Sequence, residues 1–438
     1  RMLAKRQEDQ GDSQRMIVGV VISWFKDIIP RLSQVLYCYM FKFILTISAT
    51  MAFSLLLQKT HFTYLTPAKM ATDKNHFKIL VISDYRSVGS SRPEAEIFIR
   101  LAQLGHQVHV ITHADAHYYN QRFRENGISV FENPPSKKIS FSYIRFLKSL
   151  LKEHAYDFVH AFNSKGLTNA VWALAGNKAK LIAYRGYAGQ THWYDPMMYL
   201  KYFHPRVDHI VCVSQDIEDI LSKNMIGGRK KLTTIPKGHD PAWYKSIIPV
   251  DRKTLGFTEH DILVCFLANV RPFKGLTYLL KATHLIPTGS PIHFLFIGHG
   301  YDEPSIKQEM DGSPFKEKFH LLGFRSDARE VLAACDCLVQ TSTHGEGLSK
   351  SVVESMFLGI APIITNIPGN RDLMKDGESG WMVPAKNPTS IAQALTEMAS
   401  DKAERERRGV AAAEYMCTYF HIDQTVERFV DLYERLNS

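Results

Sequence analysis

The sequence predicts two doubly wound α/β domains in series, and three observations point to them. From Phe77 onward short apolar runs alternate with amphipathic stretches of helical period, the pattern of repeated βα units around a parallel sheet. The alternation comes in two series, separated by the turn-rich segment Lys231 to Pro249 (KLTTIPKGHDPAWYKSIIP). The length of 438 residues suffices for two such domains and a tail, and 45% hydrophobic with 22% charged residues is a globular composition.

The first series opens with FKILVIS, from Phe77, which reads as a buried strand. Pro93 then opens a helix whose Ile97, Leu101 and Leu104 share one face, and Gly105 closes it before the strand QVHVIT. Further strands follow at DFVHAF, KLIAYRG and HIVCVS. The second series runs ILVCFLANV, HFLFIGHG, FHLLGF, CDCLVQTS and APIITN, with helices between. The expected division is a first domain over 76–240, a second over 250–418 and a terminal helix over 419–438. There is no repeat of solenoid period and no low-complexity segment.

Residues 1–69 form a hydrophobic N-terminal extension. Phe43 to Leu57 carries no charge, and with Lys42 tolerated near one end Leu32 to Leu57 is long enough to span a bilayer. Lys5, Arg6, Arg15, Lys26 and Arg31 would then hold the N-terminus inside and export both α/β domains, an awkward arrangement for a chain whose cysteines show no disulfide pattern. Two readings remain: a second apolar segment from Met16 (MIVGVVISWF) makes a hairpin or re-entrant anchor, or the working protein starts at Met70. Over the whole chain the balance of 53 basic to 44 acidic residues, +9, suits an anionic partner such as phospholipid, phosphorylated glycolipid or nucleotide, and equally suits an ordinary basic surface. Cys38, Cys212, Cys265, Cys335, Cys337 and Cys417 show no disulfide spacing, implying a reducing compartment, and the lone Cys335-x-Cys337 reads as core.

In open α/β sheets ligands bind beyond the carboxyl ends of the strands, so the chemistry belongs on post-strand loops. After the first strand of the second domain comes Asn269-Val270-Arg271-Pro272-Phe273-Lys274-Gly275, two cations on a loop that enters a helix. A diphosphate fits there: Arg supplies a planar fork, Lys a point charge, and the helix N-terminus a partial positive charge. Alone, the pair is equally two solvated cations at a turn. The second element is Glu346-Gly347-Leu348-Ser349-Lys350-Ser351-Val352-Val353-Glu354, following the strand CLVQTS. Its carboxylates are separated by about 12 Å or less if the first lies on the entering loop, the span from sugar to ribose in a nucleotide sugar. Alone, it is a surface helix with two Glu residues. Together the elements follow strands of one domain in the order that a shared cleft requires.

With these motifs the chain, from Phe77 to its C-terminus, resembles the family 4 glycosyltransferases of GT-B fold, in which two Rossmann-like domains face a central cleft. The resemblance implies transfer of a sugar from a nucleotide-diphosphate donor to a saccharide or glycolipid acceptor, with retention of configuration. It implies that Arg271 and Lys274 bind the diphosphate, that Glu346 contacts the transferred sugar at the reacting carbon, and that Glu354 binds the ribose hydroxyls. Gly298 and Gly300 match the family's Gly-x-Gly turn, and Phe324 and Arg325 lie where members recognise the base.

The chain departs from the family pattern in several places. Where several members carry a His after a middle strand of the first domain, this chain has Arg185, with His192 nearby as a substitute; His160 matches another common family His, and is as readily structural. These three are the acceptor-side candidates. The first loop reads Val88-Gly89-Ser90-Ser91-Arg92, so Gly89 alone supplies a flexible backbone there. Gly347, Leu348, Ser349 and Lys350 replace the usual run inside the Glu motif, adding a cation beside the donor.

No Asp-x-Asp occurs, so no metal or other cofactor is expected and the departing diphosphate must be met by fixed cations. The expected setting is the cytoplasm, peripheral or anchored on the cytoplasmic face of a membrane, in cell-envelope polysaccharide or lipopolysaccharide synthesis, with no nucleic-acid partner. The rivals are a nucleotide-sugar epimerase or hydrolase on the same scaffold, and a catalytically silent partner protein of the same fold. A dinucleotide oxidoreductase is disfavoured because SDYRSVGSS, not G-x-G-x-x-G, follows the opening strand.

Overall fold

The computed structural model describes residues 76–438 apart from 188, 190, 191, 226 and 227. The hydrophobic extension, with its span or hairpin, lies outside the described residues. Among the described residues no helix is long and apolar enough to cross a membrane.

The first lobe is a seven-stranded sheet of β1 (Lys78–Ile82), β2 (Gln107–Ile111), β3 (Ser129–Phe131), β4 (Phe158–Ala161), β5 (Lys180–Arg185), β6 (His209–Cys212) and β7 (Leu232–Thr234). Its order is β3-β2-β1-β4-β5-β6-β7, and every pairing is parallel. The second lobe has β8 (Ile262–Leu267), β9 (Ile292–Ile297), β10 (Phe319–Gly323), β11 (Cys337–Gln340), β12 (Pro362–Asn366) and β13 (Trp381–Pro384), in the order β10-β9-β8-β11-β12-β13, again all parallel. Helices cover both faces of such sheets, so central strands such as KILVI and ILVCFL read as continuous apolar runs rather than alternating ones. In each sheet the strand order reverses beside the first strand, between β1 and β4 and between β8 and β11. The loops leaving those pairs diverge and open a crevice, one in each lobe.

Six helices matter below: α1 (Val88–Gln103), α2 (Phe141–His154), α3 (Ser164–Ala173), α4 (Lys350–Phe357), α5 (Lys402–Tyr419) and α6 (Ile422–Asn437). The expectation that Pro93 opens the first helix is corrected: α1 starts five residues earlier, with Ser87 as N-cap and the Ser91 N–H closing on the Ser87 carbonyl at 3.0 Å. Pro93 is the sixth residue of the helix, so it leaves the Gly89 carbonyl without its usual donor four residues on, an interruption confined to the second turn.

The segment read as a linker also needs correction, because its first residues, Leu232–Thr234, form the edge strand β7. The crossing proper follows it and is pinned to the return crossing: the His239 N–H donates to the Phe420 carbonyl (2.8 Å) and the Ile422 N–H to the His239 carbonyl (3.1 Å). Beyond that point α6 rejoins the first lobe. Its Ile422, Val426, Phe429, Val430 and Tyr433 are buried in that lobe's core, and Tyr433 stacks on Phe158 of β4 at 4.6 Å. Of the cysteines, Cys212, Cys265, Cys335 and Cys337 are buried and Cys417 is exposed.

Candidate functional site

The loops after β8 and β11 leave the second sheet at its switch point and are stitched to each other. The Thr343 N–H donates to the Phe273 carbonyl (2.7 Å), and the Thr341 hydroxyl donates to the carbonyl of Gly275 (2.9 Å). Gly275 has φ +70°, and a Cβ there would stand 2.0 Å from the Thr341 carbonyl oxygen, so only glycine permits this approach. The stitching brings Lys274 to Glu346: Nζ donates to Oε1 at 2.6 Å, and the Ser342 hydroxyl donates to the same oxygen at 2.6 Å. Glu346 is 7% exposed. These two donors satisfy an oxygen held away from bulk water and fix the carboxylate's direction.

Arg271 sits three residues before Lys274 as the N-cap of the short turn Pro272–Lys274 and is exposed. Among the described residues no carboxylate pairs with it. The loop therefore holds one cation committed to Glu346 and one guanidinium without a protein counter-ion.

Glu354 lies within α4 and is 6% exposed. Burial raises its pKa above the ordinary carboxylate value, and the fields of Lys350, Arg329 and Arg92 only partly oppose this. Lys350 Nζ stands 3.4 Å from Glu354 Oε1. It also stands 3.2 Å from where a Cβ on Gly89 would be, at the start of α1 in the first lobe, so it spans the crevice. Gly347 is pressed still closer: a Cβ there would meet the Gly186 carbonyl oxygen, at the end of β5, at 2.0 Å. Leu348 packs against the apolar cores of both lobes, which makes it a hinge-side packing residue rather than a polar contact. Ser349 is buried at the N-cap position of α4, with its hydroxyl 3.3 Å from that of Ser351.

Gly298 and Gly300 act through backbone. A Cβ on Gly298, at φ +138°, would lie 2.3 Å from the Ala268 carbonyl oxygen, and the Val270 N–H donates to the His299 carbonyl at 2.8 Å, so this turn props the Arg271 loop. Phe324 is largely exposed and stacks on His299 with ring centroids 5.3 Å apart and planes 2° apart. Arg325 is held in a bidentate pair with Asp327 (2.8 and 2.6 Å) on its own loop.

Of the first lobe's candidates, His160 lies in the core, while Arg185 and His192 belong to the end of β5 and the loop after it. His160 is fully buried among Phe98, Phe162 and Phe429, 3.4 Å from the Tyr433 hydroxyl, and burial pushes its pKa down to about 3. An acceptor-side role for it is therefore corrected to a core role. Arg185 donates to the Gly189 carbonyl (2.6 Å) and lies over the Tyr202 ring, bracing the loop after β5. His192 is exposed on that loop and stacks on Tyr194 at 5.0 Å.

Two polar partners escape a reading of the sequence. Ser342 falls inside what reads as the end of a strand, and Lys237 falls in the crossing, yet Lys237 Nζ donates to the buried Glu94 of α1 at 2.6 Å. A hydroxyl or Lys just past a strand end is the only available signal.

The arrangement presents a fixed cation pair, a carboxylate aimed by two donors and a second, desolvated carboxylate, all on loops and one helix at the switch point. Cations there can stabilise charge on a departing phosphate, and the carboxylates can accept hydroxyl protons in hydrogen bonds. Among the described residues no three His, Cys, Asp or Glu side chains cluster at metal-binding distance.

Comparison with known proteins agrees with this geometry. The family model for "Glycosyltransferase Family 4" matches residues 95–243 and that for "Glycosyl transferases group 1" matches 248–415, so the two between them span both lobes. The Escherichia coli enzyme named UDP-Gal:α-D-GlcNAc-diphosphoundecaprenol α-1,3-galactosyltransferase is 25% identical over 301 residues, 66% of this chain and 77% of its own. The structure of Anabaena HepE in complex with UDP and glucose superposes with a TM-score of 0.67 at 17% identity, covering 82% of this chain and all of that one. A glycosyltransferase from Rickettsia africae gives 0.71 at 17% identity, covering 83% and 99%. By fold and by these matches, the chain belongs to the family 4-like glycosyltransferases of GT-B fold.

Proposed function

We propose that the chain transfers a hexose from a nucleoside-diphosphate sugar, with retention of anomeric configuration, to a saccharide or glycolipid acceptor used in building the cell envelope. The observation that carries this reading is the unpaired Arg271 guanidinium beside the Lys274–Glu346–Ser342 constellation at the switch point of the second sheet. Arg271 and Lys274 take the diphosphate, Glu354 the ribose hydroxyls and Glu346 the sugar next to the reacting carbon. When the diphosphate enters, Lys274 has two anions to serve, and Glu346 is released in part to the sugar. Lys350, reaching across to Gly89, supplies a further cation beside the phosphates.

In the reaction we propose, the acceptor hydroxyl attacks the anomeric carbon on the face from which the diphosphate leaves. The C–O bond to the phosphate breaks, the new glycosidic C–O bond forms, and the hydroxyl proton passes to a phosphate oxygen. The leaving charge is met by Arg271 and Lys274, fixed before the reaction, rather than by a metal. The E. coli relative's named acceptor carries a diphosphate-linked polyprenol, which supports a lipid-borne acceptor here. The test is turnover of a panel of nucleoside-diphosphate hexoses with and without chelator, in the presence and absence of acceptor mixtures extracted from envelopes. The reading expects acceptor-dependent release of nucleoside diphosphate that survives the chelator. Release at the same rate without acceptor would make the chain a hydrolase.

A further inference from the structure

The positive charge of this chain is concentrated in one stretch. Between Asn133 and Tyr194 there are nine Lys or Arg residues against only Glu153 and Asp157, an excess of seven in a chain whose whole excess is nine. From Asn133 to Lys152 there is no acidic residue. The fold turns much of this charge outward on one side of the first lobe. On α2, Tyr143, Leu147, Leu150 and Leu151 are buried, while Arg145, Lys148 and Lys152, spaced three and four residues apart, share the exposed face. At the start of that helix Phe141 is 84% exposed, and Lys137, Lys138 and Ile139 lead into it.

This tip is held in place. Asn169 of α3 accepts from the Ser140 N–H (2.9 Å) and donates to the carbonyls of Lys137 and Lys138 (both 3.1 Å), and the Ser140 hydroxyl caps α2. The loop after β5 comes alongside, since Lys201 lies within the electrostatic reach of Lys138 and Arg185. That loop carries Trp193 and Tyr194, 66% and 64% exposed. Phe141, on a backbone fixed by hydrogen bonds, and the two rings of the β5 loop are left in water beside cations, which matches an interfacial surface rather than a core defect. Aromatic rings settle at the headgroup level of a bilayer, and Lys and Arg are drawn to anionic headgroups.

We propose that this face of the first lobe, Lys137 to Lys152 together with Trp193 and Tyr194, docks on an anionic phospholipid surface. Phe141, Ile139 and the two rings enter the headgroup region while Lys137, Lys138, Arg145 and Lys148 pair with phosphates. The docking stands on the surface itself. Only its purpose, bringing the β5 loop and the crevice to a lipid-borne acceptor, rests on the function proposed above.

The test is hydrogen–deuterium exchange on the full chain with vesicles of phosphatidylcholine containing about one third phosphatidylglycerol, and with phosphatidylcholine alone. A local readout is needed because the apolar run between Phe43 and Leu57 can associate with vesicles on its own account. Peptides covering 137–152 and 192–201 are expected to gain protection with the anionic vesicles and not with the neutral ones. Lys137→Glu/Lys138→Glu/Lys148→Glu should abolish the gain, and Phe141→Ser/Trp193→Ser should reduce it at least several-fold. Neither variant should change the affinity for nucleoside diphosphate, which shows that the fold and donor site are intact. Unprotected peptides in the wild-type chain, even when the protein sediments with vesicles, would overturn the proposal, and so would equal protection on neutral vesicles. Protection by an acidic protein with none by lipid would also overturn it.

Discussion

The two lobes are wound alike, each sheet reversing its strand order beside its first strand, and each holds a Lys–Glu pair at 2.6 Å near its strand ends, Lys274–Glu346 in the second lobe and Lys237–Glu94 in the first. They differ in what is left over. In the second lobe Arg271 has no carboxylate partner among the described residues, whereas in the first Arg185 is tied to the Gly189 carbonyl and His160 sits in the core. Under the function proposed above, the difference leaves the second lobe with a cation to offer an anionic donor and the first with a wall and a loop.

Four substitutions sharpen or break that contrast. Glu346→Gln keeps shape but removes the charge that Lys274 and Ser342 orient, and kcat is expected to fall by about 10²–10³ with a small change in donor KM. Steady-state kinetics with saturating acceptor would show this, and an effect confined to KM would deny Glu346 its place at the reacting carbon. Gly347→Ala tests whether the lobes must meet: its Cβ would overlap the Gly186 carbonyl at 2.0 Å, and because both atoms belong to backbone the lobes must separate. A loss of roughly tenfold or more in kcat/KM is expected, with the thermal midpoint shifted by only a few degrees.

Glu354→Gln is expected to raise donor KM by about tenfold, the size of a hydrogen bond to a charged group. It should also change the pH dependence. Burial raises the Glu354 pKa, so in the folded protein the carboxylate gains its proton at a higher pH than a free Glu, whose value is about 4.3. Donor affinity should therefore decline as pH falls through a point above that value, and the Gln variant should show a flatter profile. A wild-type profile already flat down to the ordinary range would contradict the assignment.

The smallest effect on turnover is expected from His160→Phe, within about twofold, because the side chain lies in the core. Its signature is in stability. The native imidazole stays neutral down to a pKa of about 3, whereas the unfolded one titrates near its ordinary value of about 6.5. Between these values the unfolded state binds the extra proton, so stability falls as pH drops through that window. Urea unfolding at neutral pH and in mild acid should show the variant losing less stability on acidification than the wild type.

How far the fold was legible follows from where burial leaves a mark in the sequence. Central strands such as Ile262–Leu267 are covered on both faces and announce themselves as unbroken apolar runs. Three of the four edge strands, Ser129–Phe131, Leu232–Thr234 and Trp381–Pro384, are three or four residues long with partly exposed side chains, so no run marks them, and β7 is hidden inside turn residues. Arg271, Lys274, Glu346 and Glu354 can be singled out as donor-site candidates because they sit on loops, or on the helix that follows, directly after strands and in chain order. Lys237 was not legible, since its partner is 143 residues away and meets it only once the sheet is wound, and Ser342 was not, because it reads as the end of a strand although its partner is only 4 residues on. His160 misleads because it too ends a strand, but points between the sheet and α6.

The measurement that bears most directly on the contrast between the lobes is calorimetric titration of uridine diphosphate, with guanosine diphosphate in parallel, into the wild-type chain and into Arg271→Ala. If the second lobe is prebuilt around a diphosphate, the wild type binds at least one of the two without acceptor or added metal. Arg271→Ala should then weaken that binding by tenfold or more, as expected for a charge-assisted pair worth about 1.5–3 kcal/mol. Undiminished binding by Arg271→Ala would contradict the account, because the guanidinium without a counter-ion would then have no part in holding the donor.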